Sequence, residues 1–476
     1  MSSSPPPPPP STTTPHLLVF PYPAQGHMIS LLDLTHYLAS HGGFTITVLV
    51  TPKNLPLLQP LLQAHPSIHT LVLPFPAHPN LPAGAEHVSQ IGNHGNFPIM
   101  VALRQLHDPI VHWFNSHPAP PAAIISDSFL GWTQHLADHL QVARIVYYSC
   151  GAFLVNVLHY SWLHIKTDLF RSSPVFHFNE IPNSPSFKKD QLPSLIKRYQ
   201  DSNPDWDLLR DDALANTSGW VSVFNSFETL EGEFLEHFRD LNGEGRVFGI
   251  GPLNLIGAAD GRSSIRDSSS EVLTWLDGFA DSSVLYVCFG SQKQLNQQQM
   301  EALASGLERS GARFVWVVKT FNQTVGGCNG IPIGFEDRVS DRGIVVKEWV
   351  PQVAILNHRA VGGFLSHCGW NSVLESVTAG VLILGWPMEA DQFVNAKLLV
   401  DDMGVAVRVC EGANSVPDSD ELGKVIAMSL SGDCPEKMKA GALKKAAVDA
   451  VRSNGSSWKD MRGFVDKLKQ LPCRNF

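Results

Sequence analysis

The sequence predicts an α/β protein with two doubly wound domains, each built on a parallel sheet, and a cleft between them. Three observations lead to this prediction. The chain has 476 residues, which is enough for two or three domains of roughly 100–200 residues. Short apolar runs rich in β-branched residues alternate with helix-length stretches, as in buried parallel sheets. A Gly-, Ser- and Asp-rich stretch at 257–270 interrupts this alternation, and such a composition is typical of a linker.

The first unit begins with a βαβ pattern. An apolar run at 16–22 is followed by Gly26, by helical spacing over 28–38 and by a second β-rich run at 44–51. The other buried strands that we predict for this unit lie at 69–73, 122–126, 144–149 and 220–225.

The second unit repeats the architecture with different residues. One helix is predicted at 298–310, and a last helix at 457–471 carries apolar residues at spacings of three and four, which form one stripe. The stripe consists of Trp458, Met461, Phe464, Val465 and Leu468. The strands predicted for this unit lie at 283–289, 313–318, 344–349, 362–365, 381–386 and 405–410.

These patterns divide the chain into five segments. We expect a disordered proline-rich tail at 1–15, an N-terminal domain at 16–253, a linker at 254–272, a C-terminal domain at 273–456 and a terminal helix at 457–476. The proline tract could alternatively bind an SH3-like or WW domain. Ligands of open α/β sheets bind beyond the carboxyl ends of the strands, so we expect the chemistry in the cleft.

Composition excludes several classes of protein. The formal charge is −9 and only 17% of the residues are charged, so no polybasic surface for nucleic acid is expected. No run approaches the ~20 apolar residues of a membrane span, and the first residues have neither the basic start nor the apolar core of a secretory signal. Seven cysteines are scattered singly, which favours reduced thiols and a cytoplasmic location.

The stretch 349–392 is the most informative part of the chain. A predicted strand runs into His367 and Gly369, and a helix that opens with Trp370, Asn371 and Ser372 follows. The first turn of such a helix presents free backbone N–H groups and the positive end of the helix dipole, which favour a phosphate. His367 and Ser372 add side-chain donors.

Other residues of this stretch suit the remaining parts of a nucleotide and a group attached to it. Glu375 lies three residues after Ser372 and can accept the two vicinal hydroxyls of a ribose. Trp349 offers a flat face on which a base can stack. Asp391 and Gln392 follow a strand and suit a polyhydroxylated group beyond the phosphates.

At this point the sequence resembles the plant family 1 UDP-dependent glycosyltransferases of the small-molecule, flavonoid or phenolic type. Their signature runs over 44 residues from Trp-x-Pro-Gln to Asp-Gln, which is the length of 349–392. Segments 23–27, 81–86, 126–129 and 289–291 extend the resemblance over nearly the whole chain. The matching signature residues are Trp349, Pro351, Gln352, His358, Gly362, His367, Cys368, Gly369, Trp370, Asn371, Ser372, Glu375, Gly380, Pro387, Asp391 and Gln392.

The resemblance implies a fold of the GT-B type, with the acceptor held mainly by the N-terminal domain and the UDP-sugar by the C-terminal one. It also implies that the terminal helix packs back onto the N-terminal domain. Its nucleotide site would consist of Trp349 on uracil, Val350 and Gln352 beside the base, Glu375 on the ribose, and Ser291, His367, Asn371 and Ser372 on the diphosphate. Trp370, Asp391 and Gln392 would contact the sugar. Gln392 favours glucose, because the family often has His at this position for galactose or another donor.

The resemblance assigns catalysis to His27 and Asp127. Both follow predicted strands of one sheet and should meet at its carboxyl edge. An imidazole titrates near neutral pH and can accept the proton of a phenol or alcohol, while a carboxylate fixes its tautomer. Taken alone, Asp127 would be the N-cap of the turn that starts at Ser128. Ser30 stands where the family usually has Pro, which would preorganise the first turn of the helix that carries His27.

The expected reaction is inverting transfer of glucose from UDP-glucose to a small phenolic acceptor by a monomer, with no metal or other cofactor. UDP-rhamnose or another UDP-sugar is the alternative donor, and a non-catalytic nucleotide-sugar-binding protein is the alternative function. His358, His367 and Cys368 have poor spacing for zinc. The acceptor pocket could involve Phe97, Phe129 and Phe153, whose aromatic side chains equally suit a core.

Overall fold

The structure is a computed structural model that describes residues 14–256, 269–290, 292–318, 330–348, 350–432 and 434–472. Most of the predicted tail and linker, Ser291, Trp349 and the last four residues therefore lie outside the described residues. The described chain forms two parallel sheets flanked by helices and one short antiparallel pair. The predicted α/β class with two doubly wound parallel sheets is confirmed.

The first sheet has seven parallel strands in the order β3-β2-β1-β4-β5-β8-β9. Its half of the molecule contains β1 (His16–Phe20), β2 (Thr45–Val50), β3 (His69–Val72), β4 (Ala123–Asp127), β5 (Ala143–Tyr148), the antiparallel pair β6 (Val175–His177) and β7 (Ser186–Lys188), β8 (Val221–Phe224) and β9 (Val247–Gly249). Its helices are α1 (Gln25–His41), α2 (Gln59–Ala64), α3 (Asn96–Leu103), α4 (His107–Ser116), α5 (Thr133–Leu140), α6 (Ala152–His164), α7 (Asp168–Ser172), α8 (Ser194–Arg198), α9 (Pro204–Ala215) and α10 (Glu228–Asn242).

The second sheet has six parallel strands in the order β12-β11-β10-β13-β14-β15. These strands are β10 (Val284–Cys288), β11 (Arg313–Val317), β12 (Gly343–Val346), β13 (Val361–Ser366), β14 (Leu382–Gly385) and β15 (Ala406–Arg408). The helices are α11 (Ser269–Asp277), α12 (Gln297–Ser310), α13 (Phe335–Arg338), α14 (Gln352–Leu356), α15 (Trp370–Ala379), α16 (Gln392–Ala396), α17 (Ser419–Leu430), α18 (Pro435–Val451) and α19 (Ser456–Lys469).

Successive residues of β1 point to opposite faces of the first sheet, and both faces are covered. Leu18 and Phe20 belong to one apolar core, whereas Leu17 and Val19 belong to another. This double burial explains why β1 reads as a continuous apolar run rather than an alternating one. The prediction of a buried strand at 69–73 is wrong, because β3 lies at the edge of the sheet and most of its residues are exposed.

Helix α19 covers one face of the first sheet, although it follows the second sheet in the chain. Four residues of the predicted stripe, Met461, Phe464, Val465 and Leu468, are buried in the core that contains Leu17 and Val19. The backbone N–H of Gly249 in β9 donates to Asp460 in this helix over 2.7 Å. Trp458 is only partly buried and lies under the Arg462 guanidinium at 4.8 Å. The apolar stripe therefore stabilises the packing of the chain end against the N-terminal half.

The chain order changes direction inside each sheet, and the site residues lie at those two places. Strand β1 pairs with both β2 and β4, and β10 pairs with both β11 and β13. The carboxyl ends of β1 and β4 are adjacent, because Phe20 aligns with Ser126. In the second sheet Cys288 aligns with Ser366. The crevice outside a switch point is where open α/β sheets hold ligands.

Candidate active site

The His27 side chain meets the Asp127 carboxylate at the carboxyl edge of the first sheet. Helix α1 begins at Gln25, so His27 lies in its first turn, and Asp127 is the last residue of β4. The distance from His27 Nδ1 to Asp127 Oδ2 is 2.8 Å. The carboxylate is fully buried, whereas 22% of the imidazole side chain is exposed. In this arrangement Nδ1 is hydrogen-bonded to the carboxylate, and Nε2 is the nitrogen that can accept a proton.

Asp127 also has the structural role that the sequence suggested as an alternative. Its Oδ1 accepts the backbone N–H of Phe129 over 2.9 Å and so caps the short 3₁₀ turn Ser128–Leu130. One carboxylate thus has both functions, with one oxygen on the turn and the other on the imidazole. Phe129 is held by this cap with its ring centroid 4.5 Å from that of His27. The cap therefore fixes one wall of the site.

Ser30 lies in the second turn of α1, because the helix begins at Gln25, three residues before the predicted start at Met28. Its hydroxyl donates to the carbonyls of Gly26 and His27 over 3.2 and 3.3 Å. The expectation that this position belongs to the first turn is wrong. The Ser30 hydroxyl instead ties the second turn back to the turn that carries His27.

A third polar residue near His27 was missed by the sequence reasoning. The Ser149 hydroxyl lies 2.8 Å from the same Nδ1 atom of His27. Ser149 follows β5, which is the neighbour of β4 in the sheet. A serine just after a predicted strand is a weak signal by itself, and only the strand order brings it to this imidazole.

The amino end of α15, which follows strand β13 of the second sheet, lies next to the turn that carries His27. The Asn371 amide nitrogen donates to the carbonyl of Gly26 over 2.8 Å, and Gly26 is the residue before His27. The Trp370 indole N–H donates to the carbonyl of Asn225 in the N-terminal half over 2.9 Å. A Cβ atom added at Gly26 would lie 3.0 Å from that Asn371 nitrogen. The predicted diphosphate-binding turn is therefore in direct contact with Gly26, the residue before the predicted catalytic base His27, across the domain junction.

The residues predicted to bind the uracil and the ribose of the nucleotide form one hydrogen-bonded cluster. The Gln352 amide nitrogen donates to the Ser372 hydroxyl over 3.1 Å and to the Glu375 carboxylate over 2.8 Å. The Tyr286 hydroxyl donates to the Gln352 oxygen over 3.3 Å. Val350 is buried in the same apolar cluster as Tyr286. These bonds fix the orientation of the Gln352 amide and of the Glu375 carboxylate.

His367 is enclosed, in contrast to His27. Burial lowers the pKa of His367 to about 4, so its imidazole is neutral at physiological pH. Cβ atoms added at Gly290 and Gly369 would come within 2.7 and 2.6 Å of its ring. Its Nδ1 atom is buried and has no hydrogen-bond partner among the residues that the structure describes. His367 can therefore offer an N–H group to a ligand, but no charge.

Asp391 and Gln392 lie after β14; Gln392 is buried, and Asp391 is partly buried. One Asp391 oxygen accepts the backbone N–H of Trp370 over 3.1 Å and the Asn395 amide over 2.7 Å. Burial raises the pKa of Asp391, and the bonds from Asn395 and Trp370 and the nearby His27 oppose this shift. The Gln392 oxygen accepts the backbone N–H groups of Met388 and Glu389 over 2.9 and 3.0 Å. This leaves the amide nitrogen of Gln392 as its ligand-binding group.

A cavity in the N-terminal half begins beside the His27 site. Its empty volume is about 640 Å³, including the space at its mouth. Phe129 and Cys150 line it near the imidazole, and Met100, Trp162 and Leu195 add apolar walls. Of the three phenylalanines considered from the sequence, Phe129 lines the cavity, whereas Phe153 stacks on Phe234 in the core and Phe97 stacks on Trp206.

The residues considered for zinc do not come together in one site. His358 contacts Asp277 over 3.1 Å, and Cys368 directs its sulfur toward the carbonyl of Ser366. Within the described parts of the chain, no group of three or more His, Cys, Asp or Glu residues could hold a metal ion. The helices described there also include none that is long and apolar enough to cross a membrane.

Comparisons with known proteins agree with this geometry. Residues 256–426 match the family described as UDP-glucoronosyl and UDP-glucosyl transferase. UDP-glycosyltransferase 89A2 from Arabidopsis thaliana is 50% identical over 466 residues, which is 96% of each chain. Flavonol 3-O-glucosyltransferase UGT89B1 from the same plant is 47% identical over 461 residues, again 96% of each chain.

Solved structures extend the agreement to the fold. The crystal structure of Arabidopsis thaliana UGT89C1 complexed with UDP-L-rhamnose has a TM-score of 0.79 at 36% identity, and the complex with quercetin has a TM-score of 0.77 at 35% identity. Each match covers 96% of this chain and all of the other. The predicted GT-B fold is thus confirmed, and the chain belongs to the plant family 1 UDP-glycosyltransferases, which are hexosyltransferases.

Proposed function

We propose that the protein transfers glucose from UDP-glucose to a hydroxyl group of a small flavonoid-like phenol, with inversion at C1, and forms a β-O-glucoside. The observation that carries the proposal is the junction between the two halves. The His27 imidazole, held by Asp127 over 2.8 Å, lies next to Gly26, and Gly26 accepts the Asn371 amide at the start of α15. A sugar whose diphosphate binds at the start of α15 would therefore lie close to the His27 imidazole, which can act as the catalytic base.

The proposed reaction starts with the acceptor hydroxyl at His27 Nε2. As the acceptor oxygen forms its bond to C1, its proton moves to Nε2, and the bond between C1 and the phosphate oxygen breaks with its electron pair leaving on UDP. The imidazolium that forms keeps its Nδ1–H on the Asp127 carboxylate. A positioned base of this kind contributes on the order of 10²–10⁴-fold in rate. Attack on the face opposite UDP inverts C1.

The nucleotide would be held by residues of 349–392 and by Ser291. We assign uracil to Trp349, with Val350 and Gln352 beside it, the ribose to Glu375, and the diphosphate to Ser291, His367, Asn371 and Ser372. The first-turn N–H groups of α15 and the neutral His367 would stabilise the leaving diphosphate without a metal ion. The unpartnered, buried Nδ1 of His367 supports this assignment, because buried polar atoms normally have a partner.

The acceptor would occupy the cavity beside Phe129. The cavity has mainly apolar walls, which is the character of a site for a flat aromatic molecule. The relative UGT89B1 is a flavonol 3-O-glucosyltransferase, and UGT89C1 has been crystallised with quercetin. These relatives support a flavonoid-like acceptor. The free cysteines, which are scattered singly along the chain, further support a cytoplasmic location for the protein.

The donor sugar is the point at which two candidates compete. Gln392 and the glucosyltransferase relative favour glucose. UDP-L-rhamnose is the second candidate, because UGT89C1 has been crystallised with it. Trp370, Asp391 and Gln392 would contact the hexose in either case.

Purified protein should be given UDP-glucose and UDP-rhamnose together with a panel of phenols, with UDP release and product mass as readouts. We expect glucosides to dominate. A product carrying rhamnose would replace the donor assignment. Binding of UDP-sugar without UDP release for any phenol would favour the non-catalytic nucleotide-sugar-binding protein instead.

Exchange of Gln392 for His tests the proposed sugar contact. The Gln392→His variant should lose preference for UDP-glucose by about three- to tenfold, the value of one hydrogen bond, because an imidazole cannot accept both loop N–H groups and also donate from the same position. The ratio of kcat/KM for the two donors measures this change. An unchanged ratio would remove Gln392 from the sugar site.

A further inference from the structure

We propose that Ser149 is a positioning residue that acts on the His27 imidazole by accepting part of its Nδ1–H hydrogen bond. This inference rests on the proposed function, in which His27 Nε2 takes the acceptor proton. The observation behind it is that two oxygens, Asp127 Oδ2 and Ser149 Oγ, both lie 2.8 Å from one ring nitrogen. A pair of histidine and aspartate alone leaves the second oxygen unexplained.

One nitrogen carries at most one hydrogen, so two arrangements of the neutral ring are possible beside an ionised Asp127. In the first, Nδ1 carries the proton, which is shared between the Asp127 carboxylate and the Ser149 oxygen, and Nε2 is bare. In the second, the Ser149 hydroxyl donates to a bare Nδ1, and the proton sits on Nε2. Only the first arrangement gives a ring that can accept a proton at Nε2.

The surroundings of the pair favour the first arrangement. The second oxygen of Asp127 accepts the Phe129 backbone N–H over 2.9 Å, and such a bond favours an ionised carboxylate. An ionised carboxylate 2.8 Å from a bare ring nitrogen would face a lone pair, which is repulsive. With the proton on Nδ1, both oxygens can accept, and the ring is held at two points rather than one.

Ser149 is well placed to hold the ring. It is 7% exposed, and it lies directly after β5, so its backbone is fixed by the sheet. Asp127 is at the end of β4, the next strand. The His27 ring therefore spans two neighbouring strand ends, and rotation about its Cβ–Cγ bond would break the hydrogen bond to at least one of them.

The other titratable groups near this imidazole come from several elements. The Tyr22 ring follows β1 and lies 5.2 Å from the His27 ring, and burial raises the pKa of Tyr22. The Asp391 carboxyl lies across the junction and interacts with His27. The Cys150 thiol follows Ser149, and burial raises its pKa, with Asp391, Asp127 and Glu231 adding to that shift. A serine hydroxyl does not titrate in the working range, so removal of Ser149 leaves these charges unchanged.

The test is the pH dependence of the Ser149→Ala variant. A second acceptor for Nδ1–H stabilises the imidazolium more than the neutral ring, so its loss should move the acidic limb of the kcat/KM profile to lower pH by about half a pH unit, with a kcat reduced about three- to tenfold. KM for the UDP-sugar should stay the same. Ser149→Thr retains the hydroxyl and should restore the profile. Ser161→Ala is the matched control, since Ser161 is also buried and its hydroxyl has no partner among the described residues.

The direction of the shift decides the assignment. A limb that moves to higher pH would mean that Ser149 donates to Nδ1 and would overturn the proposal. An unmoved limb with lower activity would show a structural role only and would overturn it as well. The same shift should appear in the NMR titration of the His27 ring, with the signal assigned by its absence in His27→Ala. This second readout needs no turnover, so a failure of the proposed function and a failure of the Ser149 assignment give different results.

Discussion

The two sides of the junction are built in different ways. At the edge of the first sheet, His27 contacts Asp127 and Ser149, which are 100 and 122 positions away in the chain. On the side of the second sheet, Gln352 contacts Ser372 and Glu375, which are 20 and 23 positions away. The proposed base depends on a few long-range contacts, whereas the proposed nucleotide site is a locally encoded cluster. Loss of His27 on the first side should therefore lower turnover more than the loss of any single residue on the second side.

The largest effect is expected for His27→Ala, which removes the proposed base. Turnover should fall by at least about 10²-fold, while binding of UDP, which we assign to the other side of the junction, should be unchanged. Turnover measured by UDP release and affinity measured by calorimetry give the two values. His41→Ala, an exposed histidine in the last turn of the same helix, is the matched control. Near-normal turnover of the His27 variant would refute its role.

A second, smaller effect concerns the pH dependence of stability on the nucleotide side. The pKa of His367 is about 4 in the folded chain and 6.5 for an ordinary histidine. Between these values the unfolded chain binds a proton that the folded chain does not. The free energy of unfolding should therefore fall as the pH is lowered from 6.5 to 4, by up to about 3 kcal/mol from this group, and level off below.

His367→Gln should remove this part of the pH dependence, because the amide does not titrate. Urea unfolding at pH 7, 5.5 and 4.5 measures it. A variant with the same slope of stability against pH as the parent protein would contradict the assignment of the slope to His367. His358→Gln serves as the control, since His358 is a partly buried histidine of the same half that pairs with Asp277.

The difference between the two sides also explains how much could be predicted from the sequence. The strands and helices that were predicted lie within a few residues of those in the structure, because each has a local pattern, such as the apolar run of β1 or the apolar stripe of α19. Strand β9 and several long helices, such as α10 and α18, were not predicted. The contact between His27 and Asp127 could be predicted because both follow strands of one parallel sheet. Ser149 could not, because its pairing depends on the order of β4 and β5 and on a ring orientation that no local pattern encodes.

Burial was harder to predict than secondary structure. The edge position of β3 depends on which strand is last in the sheet, and the apolar composition of 69–73 gave no sign of it. In the same way, the sequence suggested that His367 is a hydrogen-bond donor, but it did not show that Gly290 and Gly369 enclose the imidazole. These two glycines lie in the loops after β10 and β13, which are neighbouring strands. Position within the sheet, rather than residue type, decided these features.

The smallest effect is expected for Asn371→Ala, which tests the contact that joins the two sides. The amide nitrogen of Asn371 has two hydrogens, so it can donate to Gly26, as in the structure, and also to a phosphate oxygen. Loss of both bonds should raise KM for the UDP-sugar about three- to tenfold, and kcat should fall slightly because the turn that carries His27 loses its tie to α15.

Thr378→Ala is the matched control for this contact. Thr378 is in the last turn of the same helix and accepts the Asn254 amide over 2.7 Å, far from the first turn. If Asn371 only holds the two halves together, the two variants should have the same KM. If Asn371 also binds the diphosphate, its variant should have the higher KM, and Asn371→Asp should be worse still, because a carboxylate would repel both the Gly26 carbonyl and the phosphates. The rank of the three variants therefore separates a structural tie from a shared substrate contact.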